Sequence, residues 1–244
     1  VSKAPAQNFY TKTFALVVKD IRVELRGRET LPPMIAFALA VTLLLAFSIP
    51  TSLNVLTPTD LPSGTVEASD VLSGFMWVTV LFAGLIGFAR TFEVERQDGA
   101  LDAMLLVPLD RSGLFAAKAI ANLVFVSIVE LFVVPAFVIL FSVNIGPGLL
   151  TLLLVILLTN IGFVAVGTLF AALAAQTRSR ELVLPILALP ALLPVFIAAV
   201  TLSSDLLSGV GLDQVTSRGW FAILVAYDII FTTISALAFE AALD

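Results

Sequence analysis

Six apolar runs divide this sequence, at 32–50, 71–89, 119–142, 149–175, 182–202 and 220–239. A helix needs about 20 residues to cross roughly 30 Å of hydrocarbon, and each run meets that length to within its boundaries. Inside a bilayer every backbone N–H and C=O must be satisfied within the span or by a closed barrel. Continuous apolar runs without polar alternation favour helices over barrel strands. A soluble fold is no alternative. Hydrophobic residues make up 59% of the chain and charged residues only 13%, against about a quarter charged in soluble domains. The expected fold class is all-α: a single polytopic transmembrane domain over 1–244 with six membrane helices. The 149–175 run is long enough to tilt. The 182–202 run carries Pro185, Pro190 and Pro194, so a kinked or broken helix is expected there, its freed carbonyls satisfied by neighbours.

Lysine and arginine set the orientation. Six precede the first run, four lie between the second and third, and two, Arg178 and Arg180, lie between the fourth and fifth. The alternate connections hold only Arg218. Twelve against one puts both termini in the cytoplasm. Trp77 and Trp220 then fall towards the outer surface, where an aromatic belt would sit.

Residues 8–29 read as an amphipathic helix. Tyr10, Phe14, Val17, Val18, Ile21 and Leu25 follow 3.6-residue spacing, with Lys12, Lys19, Arg22 and Arg26 largely on other faces. Such a helix is expected to lie in the cytoplasmic interface as an anchor, its lysines near anionic headgroups.

The longest charged connection, from Arg90 to Lys118, gathers nine of the chain's 31 formal charges. Asp98 can cap a helix that begins Gly99, Ala100, Leu101. Leu101, Met104 and Leu105 share a face. Pro108 stops that helix, and Asp110 or Ser112 can cap the next. The spacing predicts a short amphipathic helix over 95–108 in the cytoplasm. Its apolar face needs a groove, supplied either by the headgroup layer or by a cytoplasmic partner.

The run ERQDGALDAMLLVPLDRSGLFAAK resembles the coupling-helix signature of ABC-2-type transporter permeases. Three phrases carry a narrower resemblance to the CcmB family, the haem exporter permeases of cytochrome c maturation: KDIRVELRGRE, FARTFEVERQDGALDAMLLVPLDRSGLFAAKAIANL and TRSRELVLPILALPALLPVFIAA. The six-span layout matches that family end to end. Gln97 stands where the family more often has a carboxylate. The resemblance implies a bacterial inner-membrane permease subunit that is not itself an enzyme. ATP would be hydrolysed on a separate CcmA-like ABC ATPase subunit. It further implies a CcmC-like haem-handling membrane protein, a CcmE-like periplasmic haem chaperone, and haem as cargo rather than bound cofactor. Carried over by position, Glu95, Arg96, Gly99, Leu101, Asp102, Leu105 and Pro108 form the docking element of the coupling helix. Arg178, Arg180 and Glu181 are either a second contact with that ATPase or only orienting charge.

Composition agrees with a non-catalytic role. No GxxxxGK[ST] loop is present to cradle phosphates. Cysteine and histidine are both absent, which removes thiolate chemistry and histidine ligation of metal or haem. Any haem contact would be apolar or made by another subunit. A net charge of −5 argues against a nucleic-acid partner. Two docking helices for two ATPases would call for a second permease copy or a mixed pair.

Glu130 and Asp228 enter the bilayer from opposite faces and reach about the same depth, at 1.5 Å per residue. Each must be protonated, hydrated or partnered. Either they mark a polar path or seam, or they are neutral acids hydrogen-bonded to Asn122, Asn160 or Tyr227. Gly167, Ala171 and Ala175, and likewise Ala83 and Gly87, form small-residue faces for close packing, within the subunit rather than across a dimer seam. Two rival functions stay open. One is a proton-coupled secondary transporter using Glu130 and Asp228; the other is an assembly scaffold without transport.

Overall fold

The computed structural model describes residues 9–48, 68–92, 111–142, 148–175, 177, 180–210, 215 and 218–242. Seven long helices order them: α1 Phe9–Gly27, α2 Leu31–Ser48, α3 Ala68–Arg90, α4 Arg111–Leu140, α5 Leu149–Ala175, α6 Arg180–Leu207 and α7 Trp220–Ala242. No strand occurs among the described residues. Helices α2 to α7 are each long and apolar enough to cross a membrane, so the protein is multi-pass, as the six runs predict. Its outer surface confirms the solvent it is built for. Phe47 is 90% exposed, Leu150 81% and Ile139 75%, positions that water would penalise and lipid does not.

Helix α5 is the hub, packed against α3, α4, α6 and α7, while α2 closes one side against α3 and α4. An aromatic chain runs through the centre. Phe88 of α3 meets Phe163 of α5 edge-on at 4.9 Å, and Phe163 meets Phe196 of α6 at 5.0 Å. Phe196 in turn meets Trp77 of α3 at 5.9 Å. T-shaped pairs of this kind each contribute about 0.5–1.5 kcal/mol beyond area burial. Close approach depends on glycine. A Cβ at Gly167 would lie 2.1 Å from the Phe88 ring, and one at Gly87 would lie 2.6 Å from the Met34 sulfur. The small-residue faces therefore serve packing within the subunit.

Two helix expectations are corrected. Of the kink or break expected of the proline-rich segment, the break is absent: α6 runs continuously from Arg180 to Leu207 through all three prolines. Tyr227 Oη donates to the Ala191 carbonyl, between Pro190 and Pro194, at 2.8 Å, so α7 braces that stretch. Trp77 does not face lipid. It is 1% exposed, and its indole N–H donates to Ser203 Oγ at 2.9 Å, a partner that buried tryptophan requires.

Candidate functional site

The charged end of the bundle is built around α1. Thr13, Val17, Asp20 and Glu24 recur at i, i+4, i+7 and i+11. Thr13, Val17 and Glu24 are buried, and the Asp20 side chain keeps only 12% exposure. Helix α1 packs on α4. Phe14 and Leu25, by contrast, are 69% and 67% exposed. The helix thus turns a partly acidic stripe to the protein and a separate apolar stripe outward.

Each acid of the stripe has a task. Helix α1 ends where Arg28 takes a left-handed backbone, φ 54, and its N–H bonds the Glu24 carbonyl at 2.8 Å. That turn brings the Glu24 carboxylate to the start of α2, where it accepts from the N–H groups of Thr30 at 3.0 Å and Leu31 at 2.7 Å. Pro32 and Pro33 follow and have no N–H, so one carboxylate satisfies the donors that a helix start otherwise leaves orphaned.

Asp20 reaches α4. Its Oδ2 lies 3.0 Å from Lys118 Nζ, and the lysine side chain is only 5% exposed. Lys118 also donates to the Thr91 carbonyl at 3.3 Å and sits 5.6 Å from the centre of the Phe92 ring. Thr91 Oγ1 donates to Asn122 Oδ1 at 3.0 Å, and Asn122 Nδ2 donates to Thr168 Oγ1 at 3.0 Å. The network ties α1, the end of α3, the start of α4 and the far end of α5 together. Thr91 and Lys118 lie on either side of the 93–110 connection, and Lys118, about 10 Å into α4, ties that helix to the residue that follows α3.

Deeper in the bundle, Asn160 Nδ2 of α5 donates to Glu130 Oε2 of α4. Pairs 122/168 and 130/160 are register partners of one antiparallel crossing, eight residues or about 12 Å apart. Asp228 of α7 lies against α5 at Gly162, where a Cβ would meet its Oδ1 at 2.6 Å. Gly162 is two residues beyond Asn160, about 3 Å along the helix and on the other side of it. The two acids therefore share a depth, as expected, with α5 between them. Both are buried. Glu130 Oε1, Asn160 Oδ1 and both Asp228 oxygens lack a hydrogen-bond partner among the described residues. Of the three partners anticipated, Asn160 is the one used; Asn122 and Tyr227 are engaged elsewhere.

The opposite end is polar in a different way. Ser204 Oγ donates to Asp70 and Ser208 Oγ to Ser69 Oγ, joining α3 to α6, and Arg218 pairs with Asp205. No group of three or more metal-ligating side chains exists among the described residues.

Glu95, Arg96, Gly99, Leu101, Asp102, Leu105 and Pro108 lie outside the described residues, as does Arg178. Arg180 and Glu181 begin α6, with their side chains likewise outside. Glu130 and Asp228 are brought to one level but not into contact. Asp20 and Glu24, which tie α1 to α4 and to α2, are positions that the apolar-face reading of α1 passed over. Their seven- and eleven-residue spacing from Thr13 was the available signal.

A profile of the CcmB protein family matches residues 11–244. Among curated proteins, the chain is 28% identical over 183 residues to "Heme exporter protein B" of Rhodobacter capsulatus, covering 75% of this chain and 78% of that protein. It is 27% identical over 231 residues to the Haemophilus influenzae protein of the same name, covering 93% and 95%. With the Bradyrhizobium diazoefficiens protein of that name it shares 27% identity over 236 residues, covering 96% and 97%.

Proposed function

The chain is a member of the CcmB protein family, and we propose on that premise that it is the membrane subunit of an ABC transporter for haem export. In this reading a CcmA-like ATPase docks the 95–108 helix through Leu101 and Leu105, with Glu95, Arg96 and Asp102 setting register. The subunit hydrolyses nothing itself. It lies in the bacterial inner membrane with both termini cytoplasmic and pairs with a second permease copy. With a CcmC-like protein it supports handover of haem to a CcmE-like chaperone for cytochrome c assembly.

One observation carries the reading. The segment bearing the docking motif is flanked by Thr91 and Lys118, and Lys118 binds both the Thr91 carbonyl and Asp20 of α1. A pull on a docked helix would therefore act at one knot that four elements share. A free loop would dissipate the same motion. The secondary-transporter reading has its own support in the unpartnered oxygens of Glu130 and Asp228. It requires transport that follows a proton gradient without any ATPase and that is lost in Glu130→Gln.

The test is reconstitution with the candidate ATPase. Co-purification in mild detergent, with hydrolysis that Gly99→Trp uncouples from haem handover, is the expected result. Hydrolysis and handover both indifferent to Gly99→Trp would leave a scaffold. Handover driven by a proton gradient alone would leave the rival transporter.

A further inference from the structure

Two concavities meet on α1 and share Lys19 and Val23. The first is a cleft between α1 and the adjoining ends of α3 and α4, lined by Lys19, Arg90 and Lys118 together with Asp20, Glu24 and Asn122. The second is an apolar groove along α1, floored by Phe14, Val18 and Val23 and edged by Arg22 and Arg26. We propose that together they bind one anionic phospholipid, its phosphate at Arg90 and an acyl chain along Phe14, Val18 and Val23.

Charge complementarity selects this occupant. The two acids of the cleft are already engaged, Asp20 with both Lys118 and Lys19 and Glu24 with the start of α2. Arg22, Arg26 and Arg90 are exposed, and none forms an ion pair with another described residue. Guanidinium groups match phosphate oxygens bidentately, which an ammonium does not. Next to them Phe14 is 69% exposed and Val23 42%. An apolar strip bordered by arginine at the end of a membrane bundle is what a lipid with one negative headgroup fits. A soluble anion would use the cleft but leave the groove bare, and a zwitterionic lipid would use the groove without a preference for the arginines. Lipid at this place needs no ATPase partner, so its fate is separable from that of the proposed transporter.

The experiment uses the full chain, delipidated in detergent and titrated with dioleoyl phosphatidylglycerol, dioleoyl phosphatidylcholine or inorganic phosphate, with binding read by native mass spectrometry and thermal shift. Phosphatidylglycerol is expected to bind and stabilise, with Arg90→Gln weakening it about fivefold, the effect of one cation near an anionic headgroup. Phe14→Ser should weaken it without changing headgroup preference. Equal binding of phosphatidylcholine overturns the proposal, and so does full stabilisation by inorganic phosphate. A photo-cross-linker at position 14 in native membranes that captures only polypeptide would overturn it as well. Because Arg90 and Phe14 are exposed, both variants are expected to fold, and circular dichroism checks that they do.

Discussion

Polar groups at two depths of the same bundle are treated in opposite ways. At the α1 end, Asp20, Lys118, Asn122 and Thr168 are joined through Thr91 by an ion pair and hydrogen bonds, and Glu24 caps α2. Of these buried groups and the α1 stripe, only the Thr13 hydroxyl lacks a partner among the described residues. Mid-bundle, Glu130, Asn160 and Asp228 leave four oxygens without partners among the described residues. The cluster at the α1 end flanks the connection that carries the proposed docking motif; the mid-bundle one lies where helices only pack. Full satisfaction makes a buried network rigid and costly to disturb. Partial satisfaction inside a membrane is tolerable only for groups that stay neutral or meet water. The first arrangement suits transmission of force, and the second does not.

The sharpest way to break this contrast is Lys118→Met. It leaves the largely buried Asp20 carboxylate with only the more exposed Lys19 ammonium, 2.9 Å from its Oδ1, and should destabilise the subunit by about 2–3 kcal/mol, read as thermal unfolding in nanodiscs. Asp20→Asn combined with it should restore part of the loss. No recovery in the double variant would mean that the pair does not act as a unit. On α5, between the two polar bridges, Gly167→Val drives a side chain into Phe88 and should cost about 2 kcal/mol. Gly74→Ala, with nothing within 4 Å of its Cβ, should stay within about 0.5 kcal/mol. Glu24→Ala uncaps α2 and should cost about 1.5 kcal/mol, with faster amide exchange at Thr30 and Leu31. Glu130→Gln, which keeps the Asn160 hydrogen bond, should likewise change stability little, by less than about 0.6 kcal/mol. Haem handover should survive it. A large loss in either quantity would promote the mid-bundle acids to the centre of the mechanism.

The six spans were legible because lipid imposes length and apolarity locally. The fourth run coincides with α5 from Leu149 to Ala175. Where spans were misjudged, the cause was non-local. Helix α4 begins at Arg111, as the capping residues Asp110 and Ser112 led one to expect, but the apolar run bounded at 119 left out Lys118, which is buried against Asp20 of α1. Trp77 reads as a belt residue until Ser203, 126 positions away, supplies its acceptor. The apolar spacing of α1 was real, but it could not tell which stripe meets protein; Asp20 and Glu24 decide that through Lys118 and the start of α2. Three prolines predicted a kink or a break; the helix is continuous, and α7 hydrogen-bonds it at the Ala191 carbonyl.

Site-specific photo-cross-linking from positions 101 and 105, in cells expressing the subunit with its candidate ATPase, tests the docking claim most directly. The account predicts adducts to the nucleotide-hydrolysing subunit that change in yield with bound nucleotide. Adducts to phospholipid alone, from both positions, would contradict it.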